Sequence, residues 1–191
     1  MKKKIHTQQS SVCFLSSTFG PVAILWYGYE GFSKIFRILL SNSEASSTQL
    51  VKVAFPRPVE SSCTEIDVVA SQIEAFLTGD DISFSLEIAR LDICSAFQQK
   101  VLRAEHGIPR GHVSTYQRIA KHVGKPSGAR AVGTALANNP FPILIPCHRA
   151  IRSDRTLGGY QGGLKMKQAL LEMEGIFLND KGRVITERMF Y

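Results

Sequence analysis

Long apolar runs are missing from this 191-residue sequence. No stretch approaches the roughly 18 uninterrupted apolar residues that a membrane-crossing helix needs. The basic start, MKKKIH, is followed by TQQSS where a secretory signal would carry its apolar segment, so no signal peptide is expected. The expectation is a cytoplasmic protein, or a nuclear one in a eukaryote. Cysteine is sparse. Cys13, Cys63, Cys94 and Cys147 contain no C-x-x-C pair and, even with His6, lack the spacing of a zinc ribbon or finger, so no metal is expected. Free thiols are the natural reading, and the question is whether one of them is reactive.

Acidic residues are scarce in one half. Residues 1–90 carry 8 Lys and Arg against 9 Asp and Glu, whereas residues 91–191 carry 15 against 7. Between His106 and Arg155 the single acid is Asp154, beside Arg110, Arg118, Lys121, Lys125, Arg130, Arg149 and Arg152. A net charge of +7 placed so unevenly suits a polyanion, most economically nucleic acid through its phosphates. A solvated basic face would give the same count. With 44% apolar and 20% charged residues and a mean hydropathy of −0.01, the chain reads as globular. Its length allows one generous domain or two small ones.

In the first half, residues 22–29 (VAILWYGY) read as a strand, and Val51 to Phe55 as a further short strand before Pro56 and Pro58. Residues 41–48 read as a Ser-rich loop. Asp67 to Thr78 has helical spacing and stops at Gly79. This predicts an α/β domain over 1–91, with no chemical motif, and a mainly helical domain over 92–191. Ser95 caps a helix to Glu105, and Ser114 or Thr115 caps another from Tyr116 to Val123. After the turn 125–128, a short helix runs from Ala129 to Asn138. Two short helices about a Gly- and Pro-bearing turn form a helix-turn-helix pattern, which a generic helix pair shares.

The second helix of the pair is made of small residues, including Ala129, Ala131, Gly133 and Ala137, with Arg130 alone among them. A major-groove reader carries several Arg, Asn or Gln to reach base edges. Small residues with one arginine suit close, sequence-indifferent approach to the minor groove, or else tight packing on a neighbouring helix. Residues 139–149 read NPFPILIPCHR. Here an apolar strand, Ile143 to Ile145, is expected to deliver Cys147 to a turn stiffened by Pro140, Pro142 and Pro146. His148 and Arg149 beside the sulfur are expected to favour the reactive thiolate; an inert buried cysteine is the alternative. A glycine-rich loop, Gly158 to Gly163, follows with Tyr160 in it. Beyond it, Glu174 ends a helix from Leu164 to Met173.

GHVSTY, ARAVG, NNPFPILIPCHR, GGYQGGL and LLEMEG, in this order from about Phe97 to Glu174, resemble the C-terminal domain of the O6-alkylguanine-DNA alkyltransferase (methylated-DNA–protein-cysteine methyltransferase) family. The resemblance covers roughly two fifths of the chain. It implies a ribonuclease-H-like α/β N-terminal domain and a winged helix-turn-helix C-terminal domain. The implied function is stoichiometric transfer of an alkyl group from O6-alkylguanine, and from O4-alkylthymine, in duplex DNA to Cys147. The damaged nucleotide would be flipped out, the protein would act once without turnover, and it would work as a monomer without a cofactor. Cys147 aligns with the nucleophile, and His148 and Glu174 with the partners that polarise it through water. Asn139 aligns with the hinge residue and Tyr116 with the tyrosine that crowds the 3′ phosphate and protonates the departing guanine. Arg130 aligns with the finger that fills the vacated stack. Ala129, Ala131, Gly133 and Ser153 would face DNA, and Pro142, Gly158, Tyr160 and Gln161 would surround the base.

The departures are small. Ala137 stands where some relatives carry a basic residue, Gln161 where a serine is common, and the N-terminal zinc ligands of some relatives are not recognisable. Rival readings are a lesion-binding protein without repair activity, which usually has tryptophan in place of this cysteine, a winged-helix regulator, and a thiol hydrolase.

Overall fold

The computed structural model describes residues 9–29, 32–55 and 57–191; the basic start and His6 lie outside them. A four-stranded sheet leads: Ser11–Leu15 (β1), Val22–Tyr29 (β2), Phe32–Leu40 (β3) and, beyond a helix, Val59–Glu60 (β4). The strand order is β3-β2-β1-β4, antiparallel except that β4 runs parallel to β1. Strand β2 is apolar along its length because both faces are covered. Val22, Ile24 and Trp26 join the main core, while Ala23 and Leu25 join Val12, Phe36 and Val51 on the opposite face.

That opposite face is covered by α1 (Ser47–Ala54), so the expected strand at Val51 to Phe55 is instead mostly helix. The reason lies just upstream. Ser46 accepts from the Gln49 N–H while the Gln49 side chain accepts from the Ser46 N–H, a capping box inside the stretch read as loop. Val51 then faces the sheet and Val53 faces water, a helical and not an alternating pattern. The main-core face receives α2 (Thr64–Leu77) through Ile66, Val69, Ile73, Phe76 and Leu77.

The second half follows a 3₁₀ turn at Leu91–Ile93. Helix α3 (Ala96–His106) is capped by Ser95, and β5 (Ser114–Thr115) runs into α4 (Tyr116–His122), capped by Thr115. Then come α5 (Ala129–Ala137), a 3₁₀ turn at Cys147–Arg149, β6 (Ala150–Ile151) parallel to β5, and α6 (Gly163–Met173). A hairpin of β7 (Phe177–Leu178) and β8 (Val184–Ile185) completes the order. One hydrophobic cluster runs unbroken from the sheet (Ile24, Ile38) through α2 and α3 to Val132, Phe141 and Cys147. The Ile38 N–H donates directly to the Pro140 carbonyl at 2.8 Å, so strand β3 holds the segment that precedes Cys147.

The expected strand at Ile143 to Ile145 is a closed turn. The Ile145 N–H bonds the Phe141 carbonyl at 2.9 Å, and Ile143 takes φ 75°. Three prolines cannot supply the donors of a strand ladder, and a tight turn uses the few that remain.

Two charged residues lie inside the core, Glu105 on α3 and Lys167 on α6, both fully buried. The Lys167 ammonium donates to the carbonyls of Ala150 (2.6 Å), Leu157 (2.5 Å) and Gly159 (3.4 Å). Neither Glu105 oxygen has a hydrogen-bond partner among the described residues. Burial pushes the Glu105 carboxyl up to about 8, against the pull of Lys167 and Arg149. Burial brings Lys167 down to about 8, against the Cys147 sulfur and Glu105. A carboxyl raised on folding costs stability as pH climbs from its unfolded value to its folded one. Glu105→Gln keeps the shape without the ionisation. Relative to this variant, the wild type should lose on the order of a few kcal/mol between pH 4.5 and pH 8, with no further loss above. Urea unfolding across that range measures it, and parallel pH curves for the two proteins would refute the assignment.

Candidate active site

The site is built on the turn after α5. Asn139 is fully buried and its side chain ties the turn together. Its Oδ1 accepts from the Phe141 N–H at 2.9 Å, and its Nδ2 donates to the Ile145 carbonyl at 3.3 Å and the Cys147 sulfur at 3.4 Å. Cys147 is 5% exposed. Burial pushes its thiol up to about 11, with the Asn139 hydrogen bond pulling the other way. The expected thiolate, favoured by His148 and Arg149, is therefore not the resting form. Both side chains are next to the sulfur in sequence but turn away to a shared carboxylate, and desolvation dominates what is left.

That carboxylate is Glu174, at the C-terminal end of α6. It accepts from His148 Nε2 at 2.9 Å, from Arg149 Nε at 3.0 Å and Nη2 at 2.8 Å, and from the Gly111 N–H at 3.2 Å. Burial opposes its ionisation, but the hydrogen bonds from His148 and Arg149 and the charge of Arg149 prevail and bring it down to about 2. Arg149 also donates to the Ile108 carbonyl at 2.5 Å, so the cluster reaches the end of α3. Because Glu174 only accepts, His148 Nε2 must carry the proton. Burial lowers the His148 pKa, keeping the ring neutral, and Nδ1 is left as a lone pair with no partner among the described residues. Phe76 of α2 lies 5.8 Å from the imidazole and Tyr160 6.3 Å, ring to ring, so the first half of the chain supplies part of the wall.

The loop after β6 closes over the helix pair. Gly158 has φ +70°, and a Cβ there would come within 2.5 Å of the Tyr116 hydroxyl, so only glycine allows the loop this close. Burial, with Glu105 and the Cys147 sulfur nearby, pushes the Tyr116 phenol up to about 12, which keeps it protonated. An open depression of about 490 Å³ runs between Tyr116 on α4 and the exposed face of α5, lined by Ala129, Arg130, Gly133, Ala137, Arg152 and Ser153. Ala131 belongs to another surface, beside Phe97 and Gln98 of α3. Pro142 is buried within the turn. The Gln161 side chain is engaged with the carbonyl of Asn139 at 2.6 Å. Among the described residues, no group of three or more His, Cys, Asp or Glu could hold a metal ion.

Several participants escaped sequence reading. Arg149 is a ligand of Glu174 where it was expected to act on sulfur, and Gly111, which opens the GHVSTY motif, was assigned no role and contributes a backbone N–H. Lys167 and Glu105 sit at helical positions whose burial the charge count hides. Arg149 and Arg152 carried a signal, as part of the basic run.

Residues 96–176 match the model of the 6-O-methylguanine DNA methyltransferase DNA-binding domain. The chain is 44% identical over 113 residues to a methylated-DNA–protein-cysteine methyltransferase of Methanothermobacter thermautotrophicus, covering 59% of this chain and 63% of the relative. It is 46% identical over 105 residues to that of Mycobacterium leprae, covering 54% and 62%. The matched segment thus spans a little under two thirds of these curated relatives. Among solved structures, the Mycobacterium tuberculosis O6-methylguanine methyltransferase superposes with a TM-score of 0.68 at 30% identity, over 87% of this chain and 93% of that one. The Mycobacterium tuberculosis OGT crystallised in complex with DNA gives 0.66 at 30% identity over the same shares. The mixed α/β architecture is thus a shared one, and the chain belongs to the 6-O-methylguanine DNA methyltransferase family.

Proposed function

We propose that this protein repairs DNA by taking an alkyl group from O6-alkylguanine, and from O4-alkylthymine, onto Cys147. The observation that carries the reading is the buried thiol on the Asn139 turn, next in sequence to an imidazole whose tautomer is fixed by Glu174. A water bridging Nδ1 of His148 and the thiol would take the sulfur proton as the sulfur attacks the alkyl carbon. The carbon–O6 bond breaks and its electron pair stays on guanine, which receives a proton from the Tyr116 hydroxyl; the proton held by His148 restores the phenol through solvent. The products are guanine and a thioether. Water does not hydrolyse a thioether, so each molecule acts once.

Duplex DNA is the proposed partner. The alkyl carbon lies in the base stack, where a thiol this buried cannot meet it in line, so the nucleotide must swing out at a cost of a few kcal/mol. Exposed Arg130 is positioned to enter the gap, and Arg152 and Ser153 border the same depression. A Cβ at Gly133 would meet no protein atom within 4 Å, so packing does not demand the glycine there, while close approach of a nucleic-acid backbone would. The reading includes a ribonuclease-H-like unit over 1–91 and a winged helix-turn-helix unit over 92–191, working as a monomer without a metal or cofactor in the cytoplasm or nucleus. The names of the relatives and the DNA complex of the Mycobacterium tuberculosis protein support it.

Incubation with a duplex carrying O6-methylguanine should add one methyl group per molecule, mapped to Cys147 by peptide mass and abolished in Cys147→Ser. Binding without mass gain would identify a lesion-binding protein instead. Arg130→Ala should slow repair of the duplex at least about tenfold more than reaction with free O6-benzylguanine, because only the duplex demands extrusion. Equal losses in the two assays would remove Arg130 from that role.

A further inference from the structure

Gln161 does something its place at the rim of a base pocket would not require. Its Nε2 donates to the carbonyl of Asn139 at 2.6 Å and reaches that of Ala137 at 3.4 Å. Ala137 is the last residue of α5, whose final carbonyls have no partner inside the helix. A loop more than twenty residues downstream therefore closes the end of the helix that carries Arg130. The same Gln161 offers its own carbonyl to Asn42 Nδ2 at 3.4 Å. Asn42 is itself fixed just after strand β3, its Oδ1 accepting from the N–H groups of Glu44 and Ala45 at 2.9 and 3.0 Å.

Asn139 stands at the centre of these contacts. Gln161 holds its backbone carbonyl, while its side chain donates to the Cys147 sulfur. Strand β3 holds the next residue, through Ile38 N–H to Pro140 carbonyl. At the other end of the same loop, Gly158 presses on Tyr116 of α4. The loop from Gly158 to Gly163 thus bridges both members of the helix pair, with Tyr160 in its middle facing His148.

From this geometry we propose that Gln161 is a positioning residue. It straps the loop to the end of α5 and to Asn139, so that the donor on the sulfur, the arginine-bearing helix and Tyr160 are held as one unit anchored on the N-terminal sheet. The proposal rests on the repair reading above for the reaction it serves. Gln161 acts through Asn139 and touches neither the sulfur nor the reacting carbon. Loss of the strap loosens the orientation of Asn139, and the thiol loses the hydrogen bond that favours its anion.

Gln161→Met retains length and half-buried packing but removes the amide donor. The test is a cycle of wild type, Gln161→Met, Asn139→Ala and the double variant, read as the rate of Cys147 alkylation by O6-benzylguanine. Gln161→Met alone should slow the reaction about fivefold to tenfold, the worth of one well-made hydrogen bond to the site. In the Asn139→Ala background the same change should cost less than about twofold, because the two act as one device. Equal factors in both backgrounds overturn the proposal. Amide hydrogen exchange on the same proteins is the second arm. Gln161→Met should speed exchange in residues 137–141 and 160–163 together and leave β2 unchanged, whereas loosening of 160–163 alone overturns it. If the wild type gains no alkyl group at all, the repair reading fails and the exchange arm still decides the strap.

Discussion

The buried carboxylate of Glu174 is the constraint on which the rest depends. It holds an imidazole, a guanidinium and a backbone N–H at once, drawn from the cysteine turn and from the segment after α3. Removing one partner of such a cluster leaves a buried charge uncompensated, typically a loss of about 3–5 kcal/mol, so the arrangement is either complete or costly. Its chemical consequence is directional. A carboxylate held ionised by Arg149 fixes the proton of His148 on Nε2 and leaves Nδ1 as the basic atom.

The same cluster leaves the proposed nucleophile, Cys147, neutral at rest. A thiolate beside His148 and Arg149 would be open to oxidation and to adventitious electrophiles. In the structure, burial holds the thiol protonated and the pair that could have ionised it is occupied by Glu174. In the proposed reaction, reactivity would arise where a substrate meets a base of fixed tautomer, and Tyr116, held protonated by burial, would serve the leaving group. The first half of the chain takes part: Phe76 of α2 walls the imidazole, and the Ile38 N–H of β3 fixes the residue before Phe141.

The helical half was largely legible because its signals are local. Ser95 and Thr115 cap the helices they mark, and Gly124 stops the second. The family was also legible from order and identity, since IPCHR with GGYQGGL and LLEMEG is a dense pattern, and the proposed chemistry rests on that. Sequence adjacency misled at Cys147, where neighbours in the chain point away from one another. Propensity misled at Val51 to Phe55, where the capping box at Ser46 outweighed β-branched residues. Strands β1 and β3 were not marked at all: β1 is only five residues long, and polar residues such as Ser33, Lys34 and Arg37 interrupt the apolar pattern of β3, which pairing with β2 resolves. Glu105, Lys167 and the bond from Gln161 to Asn139 belong to tertiary structure alone, since each joins residues far apart in the chain.

The proposed chemistry turns on which nitrogen of one histidine carries the proton. Nitrogen-15 NMR of labelled protein resolves the two ring nitrogens of His148 directly. A ring neutral at pH 8, protonated at Nε2 with Nδ1 bare, and a pKa below that of a free imidazole are the results that follow from the Glu174 cluster and from burial. A proton on Nδ1, or an imidazolium at neutral pH, would leave no base to receive the thiol proton and would contradict the account.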